Sequence, residues 1–213
     1  MENVFFEPWI GSCYDIGIRG KRIMVLGHVH VCGGCNECGN LAERGDCARL
    51  TIRVMEDYFK WRKTGVIPSP GYEGWLKTFL NFAKAFFGYE PSIEEEQNEL
   101  WNHVLFYNYV QSSVPDWNIK PTYEDYENSK VPFLEVIYDY APDIIIAWGN
   151  GAYNYTPDGG VYDSPLVYEN IKAERYIYTL KSGKKCTLMK IHHPSMFFSW
   201  EKWHEVIKQA LQN

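Results

Sequence analysis

The strongest constraint on the fold is an alternation of short apolar runs with longer segments of helical periodicity. The runs are rich in β-branched and aromatic residues and end at turn-forming residues, which is typical of buried strands. They are "KRIMVLG" (21–27), "VLFYNYV" (104–110) and "DIIIAWG" (143–149). Apolar residues at helical spacing predict helices over 47–63, 72–88 and 122–142. Strands separated by helices predict an α/β protein.

The last forty residues predict two further strands and a closing helix. Residues 175–194 contain a turn, "SGK", between two apolar segments, and residues 199–211 form an amphipathic segment with Ser199 as its N-cap. The acidic run at 94–96 is predicted to be the solvated start of a helix. We therefore expect a three-layer α/β/α fold whose central sheet has four to five strands and is mostly parallel. Without a low-complexity tract or long linker, residues 1–213 are predicted to form a single domain.

Several classes of protein are disfavoured by what the sequence lacks. It has no apolar run near the roughly 18 residues that span a membrane, and its first residues do not resemble a signal peptide. We expect a cytoplasmic monomer that does not associate with membranes. A Walker loop, a Rossmann glycine fingerprint, an HExxH helix and a GxSxG elbow are all missing, so the corresponding chemistries have no support.

The charge of the chain is unevenly distributed. The formal net charge is −6, which argues against nonspecific coating of nucleic acid. Residues 172–208 nevertheless contain eight basic and three acidic side chains, a balance of +5 that leaves −11 for the remainder. A molecule with this polarity can present one basic face to phosphates. The alternative is an ordinary solvated surface.

Polar residues follow the predicted strands at the points where they end. His28 and His30 follow the first strand, Asn108 lies in the second, and His193 follows the last one. In mostly parallel sheets, ligands bind at the carboxyl ends of the strands. The sequence therefore predicts that these side chains meet at one edge of the sheet.

Four segments, in this order, resemble the uracil-DNA glycosylase superfamily. They are "VLGHVH" after the first strand, "FYNYVQ" at the second, "PDIIIAWGNGAY" at the third and "IHHPSMFFSW" before the last helix. The resemblance covers about residues 20 to 211. It implies a monofunctional DNA glycosylase that needs no cofactor. Such an enzyme hydrolyses the N-glycosidic bond of uracil or another altered base flipped out of DNA.

The resemblance also implies a role for each motif residue. His193 would donate a hydrogen bond to a base oxygen on which negative charge develops as the bond breaks. Asn108 would read the edge of the base, because an amide offers both a donor and an acceptor. Gly27, Val29 and Trp148 would line the base pocket.

The remaining motif residues are assigned to DNA. Ser195 would hold a flanking phosphate, and Met196 or Phe197 would enter the space left by the flipped base. Lys190, on the strand before this loop, is expected to contact DNA as well.

One position departs from the family pattern. Two residues after the glycine of the first motif, the family carries an Asp or Asn that activates water, and this chain has Val29. Three interpretations remain open. His28 or His30 orients the water, or His193 acts alone at a reduced rate, or the protein is a catalytically impaired module that binds an altered base without cutting it.

A cysteine-rich loop follows the first motif. Cys32, Cys35, Cys38 and Cys47 include two overlapping C-x2-C spacings, and four thiols within sixteen residues can reach a tetrahedral zinc ion. Zinc is favoured over an iron–sulfur cluster, and the alternative is a set of reduced thiols. A third functional reading makes the Cys/His loop a zinc hydrolase centre.

Overall fold

The protein is an α/β structure built on one seven-stranded mixed sheet. The computed structural model describes residues 1–32, 41–43, 45–68, 73–195 and 197–212. The strands of the sheet are β1 (Trp9–Ile10), β2 (Ile23–Gly27), β4 (Val104–Asn108), β6 (Ile144–Trp148), β7 (Val161–Tyr168), β8 (Ile171–Thr179) and β9 (Lys185–Ile191). Their order across the sheet is β1-β4-β2-β6-β9-β8-β7. β3 (His30–Val31) and β5 (Ser113–Val114) pair separately, in parallel.

Parallel and antiparallel pairing divide the sheet. The four inner strands β4, β2, β6 and β9 pair in parallel, whereas β1 is antiparallel at one edge and β8 and β7 are antiparallel at the other. The predicted α/β class is confirmed. The predicted sheet of four to five mostly parallel strands is not, because the three outer strands are all paired antiparallel.

The helices lie close to the segments predicted from periodicity. They are α1 (Leu50–Thr64), α2 (Glu73–Phe87), α3 (Ile93–Glu95), α4 (Tyr123–Tyr140), α5 (Asn150–Tyr153) and α6 (Trp200–Gln212). α4 begins with a capping box in which Thr122 and Asp125 each accept a hydrogen bond from the other's backbone N–H. α1 ends at Gly65, which has the left-handed conformation that glycine adopts at little cost.

The core lies on both faces of the sheet, because consecutive strand residues point to opposite sides. Along the fully buried strand β2, Ile23 and Val25 belong to one apolar cluster, and Met24 and Leu26 belong to another. Residues of α1, α2 and α6 pack in the first cluster, and residues of α4 pack in the second. Helices therefore cover both faces, and the polar ends of the inner strands are left for a site.

The acidic run at 94–96 differs from its prediction. Glu94 is exposed, but Glu96 is completely buried and lies in a π-helical turn, Glu96–Leu100, that continues from α3. The prediction of a solvated run is therefore wrong for Glu96. Its carboxylate is ion-paired with Arg62 of α1, Nη2 to Oε1 at 2.6 Å, and this partner is what makes its burial tolerable.

No helix in the described ranges combines the length and the apolar character needed to span a membrane.

Candidate functional site

The ends of the four parallel strands meet at one edge of the sheet. Backbone hydrogen bonds continue the strand pairing into the loops: Tyr109 N–H donates to the Gly27 carbonyl at 3.1 Å, and Val110 N–H donates to the His28 carbonyl at 2.9 Å. On the other side, Gly149 N–H donates to the Ile191 carbonyl at 2.9 Å. These bonds fix the loop that carries His28 beside the end of β4, and they fix the turn after β6 beside the end of β9.

Asn108 lies over Gly27, its partner in the strand register. A Cβ at position 27 would overlap the Asn108 Oδ1 atom, so only glycine leaves room for this amide. Asn108 is 7% exposed, and Nδ2 lies 3.1 Å from His30 Nε2. Oδ1 has no hydrogen-bond partner among the described residues. The amide is therefore held on one side and available on the other.

His28 is held in an aromatic stack beside the start of α5. Its Nε2 lies 2.7 Å from the Tyr126 hydroxyl, and its ring is parallel to that of Tyr126, with centroids 5.7 Å apart. The ring of Tyr126 is stacked in turn on that of Tyr155, with centroids 3.7 Å apart. A Cβ at Gly151 would lie 2.6 Å from His28 Nε2, so glycine is also needed there. Burial, with a smaller contribution from His193, lowers the pKa of His28 to about 4, which leaves it neutral near pH 7.

His193 follows β9 and faces the end of β6. Its ring meets Trp148 edge to face, with centroids 6.3 Å apart, and its Cβ would lie 3.2 Å from a Cβ at Gly149. Trp148 is 3% exposed and packs beneath His193. Although His193 is exposed at the surface, desolvation of its ring lowers its pKa, so the imidazole is a neutral donor near pH 7. The ring of His192, its neighbour, packs instead against Trp203 of α6, with ring centroids 5.4 Å apart.

His30 lies deeper than His28 and His193, and Val29 is half-buried like His28. The Val29 side chain packs against the cluster that contains α4, where it offers the site only methyl groups. His30 is 5% exposed, and the hydroxyl of Thr51 lies 2.9 Å from its Nε2. This nitrogen is thus engaged by both Thr51 and Asn108. Of the two histidines considered as substitutes for the family's Asp or Asn, His28 is the less deeply buried, and its Nδ1 has no partner among the described residues.

The loop after His193 is anchored from α2. Asn81 Nδ2 donates to the carbonyls of Pro194 at 2.9 Å and Ser195 at 3.4 Å. Ser195 is exposed, and the side chain of Phe197 is 97% exposed in the left-handed region, at φ 61°. A bulky residue in that conformation stores backbone strain and often marks a functional loop. Met196, the alternative wedge, lies outside the described residues.

The basic segment is more neutral than its sequence suggests. Lys190 is paired with Glu174 at 2.8 Å and lies 5.1 Å above the Tyr153 ring, so its charge is already compensated. Four more basic residues of the segment are also ion-paired: Arg175, Lys184, Lys202 and Lys208. Lys190 therefore has an ion-pair partner within the protein, and its contact with DNA stays a prediction.

The cysteine-rich loop is only partly described. Cys32 N–H donates to the Val114 carbonyl at 2.9 Å, which extends the pairing of β3 with β5, and Cys47 lies just before α1. Cys35 and Cys38 lie outside the described residues. Within the described ranges, no group of three or more His, Cys, Asp or Glu side chains has the arrangement of a metal site. The four-thiol zinc site remains a prediction.

No model of a known protein family matches the chain, and no curated protein matches it. The assignment of the site therefore depends on the geometry of its residues. Three partners escaped sequence reasoning: Asn81, Thr51 and Tyr126. Asn81 carried a signal, a polar residue within the apolar stretch "FLNFA". Thr51 and Tyr126 did not, because ordinary helix surfaces contain the same residues.

Proposed function

We propose that this protein is a DNA glycosylase of the uracil-DNA glycosylase type, and that the four inner strands form the core of such a fold. The supporting observation is that Asn108, His28 and His193 lie at the carboxyl ends of three of the four parallel inner strands. The three side chains come from motifs more than forty residues apart. A packing role alone would not require an amide acceptor and two neutral imidazoles at one edge.

The reaction is hydrolysis of the N-glycosidic bond of uracil or another altered base. Water adds to the sugar carbon, the electron pair of the broken bond goes to the base, and an abasic site remains. His193 donates a hydrogen bond to the base oxygen that gains charge, and Asn108 binds the edge of the base. Phe197 fills the space left by the flipped nucleotide, and Ser195 binds a neighbouring phosphate.

His28 takes the place of the water-activating residue absent at Val29. When Nε2–H donates to the Tyr126 hydroxyl oxygen, the lone pair on Nδ1 can accept a proton from water. A base with a pKa of about 4 orients the water and receives its proton late, after the bond to the base has begun to break.

The test is excision on labelled oligonucleotides, single- and double-stranded, that contain uracil or other altered pyrimidines and purines. We expect the protein to release at least one altered base. Asn108→Ala, prepared in the same way, is the control for contaminating glycosylases and should be inactive. Release at the same rate by both preparations, or by neither, contradicts the proposal.

Replacement of His28 by alanine should lower the rate of excision about 10²-fold, the lower end of what general acid–base catalysis contributes. Tyr126→Phe should lower it less, because only the orientation of His28 is lost. Protonation removes the acceptor lone pair of His28, so wild-type activity should fall as the pH drops towards about 4 and should change little around pH 7. An acidic fall that is identical in wild type and His28→Ala would exclude His28 as the water-orienting group.

Val29 favours a second candidate, a module that binds an altered base without cutting it. A valine that packs into the core offers water neither a donor nor an acceptor. Retained binding to one altered base without any release in the excision assay would support this function. DNA as the partner, a single domain, a monomeric state and a cytoplasmic location remain predictions.

A further inference from the structure

The amide of Asn108 is fixed from below by a buried histidine. His30 Nε2 lies 3.1 Å from Asn108 Nδ2 and 2.9 Å from Thr51 Oγ1, and the ring of Phe6 packs edge-on against His30 at 4.7 Å. Thr51 is completely buried and His30 is 5% exposed. A histidine packed on several sides has little freedom to turn.

The polarity of this contact follows from which amide atom faces His30, and that atom is Nδ2. An amide nitrogen can only donate, so with Nδ2 facing it, Nε2 must carry the lone pair and Nδ1 the proton. The Thr51 hydroxyl, which can donate or accept, is compatible with this tautomer.

The fixed amide determines what the open side of Asn108 offers. One N–H of Nδ2 is directed to His30, and Oδ1 lies over Gly27 without a partner among the described residues. What remains for a ligand is one acceptor, Oδ1, beside the second N–H. The complementary edge has a ring N–H next to a carbonyl oxygen.

We propose that His30 is a specificity-determining positioning residue that fixes Asn108 to accept a hydrogen bond from a ring N–H of the flipped base. The site then takes bases with an imide or lactam edge, such as uracil or hypoxanthine. It rejects cytosine, which presents a lone pair on the corresponding ring nitrogen. This inference rests on the proposed function for the identity of the ligand as a base.

The first test measures both excision and binding by wild type and by His30→Gln, whose amide can present either a donor or an acceptor to Asn108. Binding is measured with oligonucleotides that carry non-hydrolysable fluorinated analogues of deoxyuridine or deoxycytidine. Wild type should prefer the uracil analogue at least about tenfold, since a buried polar group that faces the wrong partner is left without its hydrogen bond. His30→Gln should lose most of this preference while it still binds. His103→Gln, at the opposite end of β4 where the imidazole contacts the Gly17 carbonyl, is the matched control and should retain it.

The outcomes separate this inference from the proposed function. Preference in binding without excision supports the role of His30 and contradicts the glycosylase. Excision with an equal preference in wild type and a folded His30→Gln contradicts the role of His30 alone. The inference is also overturned if the wild-type protein binds the cytosine analogue more tightly than the uracil analogue, or binds neither.

A second measurement needs no variant. Nuclear magnetic resonance of isotope-labelled histidine distinguishes a ring nitrogen with a lone pair from one that carries a proton. For His30 we expect the lone pair on Nε2 and the proton on Nδ1. A proton on Nε2 would require the Asn108 amide to be turned over, and the inference would fail even if His30→Gln does not fold.

Discussion

Replacement of His193 by alanine should lower the single-turnover rate of base release about 10²- to 10³-fold, the usual cost of removing one hydrogen-bond donor from a site where negative charge develops. The neutral imidazole lies against Trp148, which excludes part of the solvent, so a hydrogen bond that it donates there is stronger than one made in bulk water. Affinity for the uncleaved oligonucleotide should change much less, because the donor acts mainly on charge that appears during the reaction.

Two further variants at this loop sharpen the experiment. His193→Gln retains an N–H donor and should keep more activity than His193→Ala. His192→Ala is the matched control, since that ring contacts Trp203 on the opposite side and should contribute little to the rate. Equal losses in His192→Ala and His193→Ala would indicate that the loop has been distorted. An unchanged rate in His193→Ala would contradict the proposed role of His193 as a hydrogen-bond donor.

The inner strands and the motif positions could be predicted because local pattern determines them. Runs such as Ile144–Trp148 are apolar throughout, which occurs where a strand is covered on both faces. Since parallel strands place their carboxyl ends at one edge, the convergence of Gly27, Asn108 and His193 followed from the order of elements alone.

The strands within 175–194 were predicted and correspond to β8 and β9, whereas the outer strands β1 and β7 could not be predicted because no local apolar pattern marks them. β7 contains Pro165, and its Val161 and Tyr162 are more than 70% exposed, so it carries no burial pattern that a strand prediction could detect. Edge strands often contain proline because only one side of the strand is paired. β1 has only two residues and is defined by its pairing with β4.

The contacts that orient the two histidines could not be predicted from the sequence either. Thr51 lies 2.9 Å from His30 but 21 residues from it in the chain, and Tyr126 lies 98 residues from His28. Neither distance can be inferred without the packing of α1 and α4. The departure at Val29 could be identified from the sequence, whereas the choice between His28 and His30 required the burial and the partners of each.

The largest effect on stability is expected at the buried ion pair between α1 and the π-helical turn. Arg62 donates to Glu96 Oε1 through Nε at 2.7 Å and to the Pro91 carbonyl through Nη2 at 2.7 Å. Tyr58 and Trp101 donate to the other carboxylate oxygen. Arg62→Met removes the only charged partner among the described residues and leaves a carboxylate in the core. The free energy of unfolding near pH 7 should fall by about 3–5 kcal/mol, measured by urea denaturation.

The dependence of this loss on pH identifies its cause. Desolvation already raises the pKa of Glu96 in the wild type, and the loss of Arg62 should raise it further. A carboxyl whose pKa is higher in the folded state takes up protons on folding, so its penalty grows as pH rises through that range and shrinks as pH falls. Arg62→Met should therefore recover part of its stability at mildly acidic pH relative to wild type. Adding Glu96→Gln to Arg62→Met should restore part of the lost stability at neutral pH, because it removes the buried charge. Lys208→Met, at an exposed ion pair, is the control and should have little effect at either pH. A deficit that is independent of pH and unaffected by Glu96→Gln would mean that Arg62 stabilises the helices by packing and not by its charge.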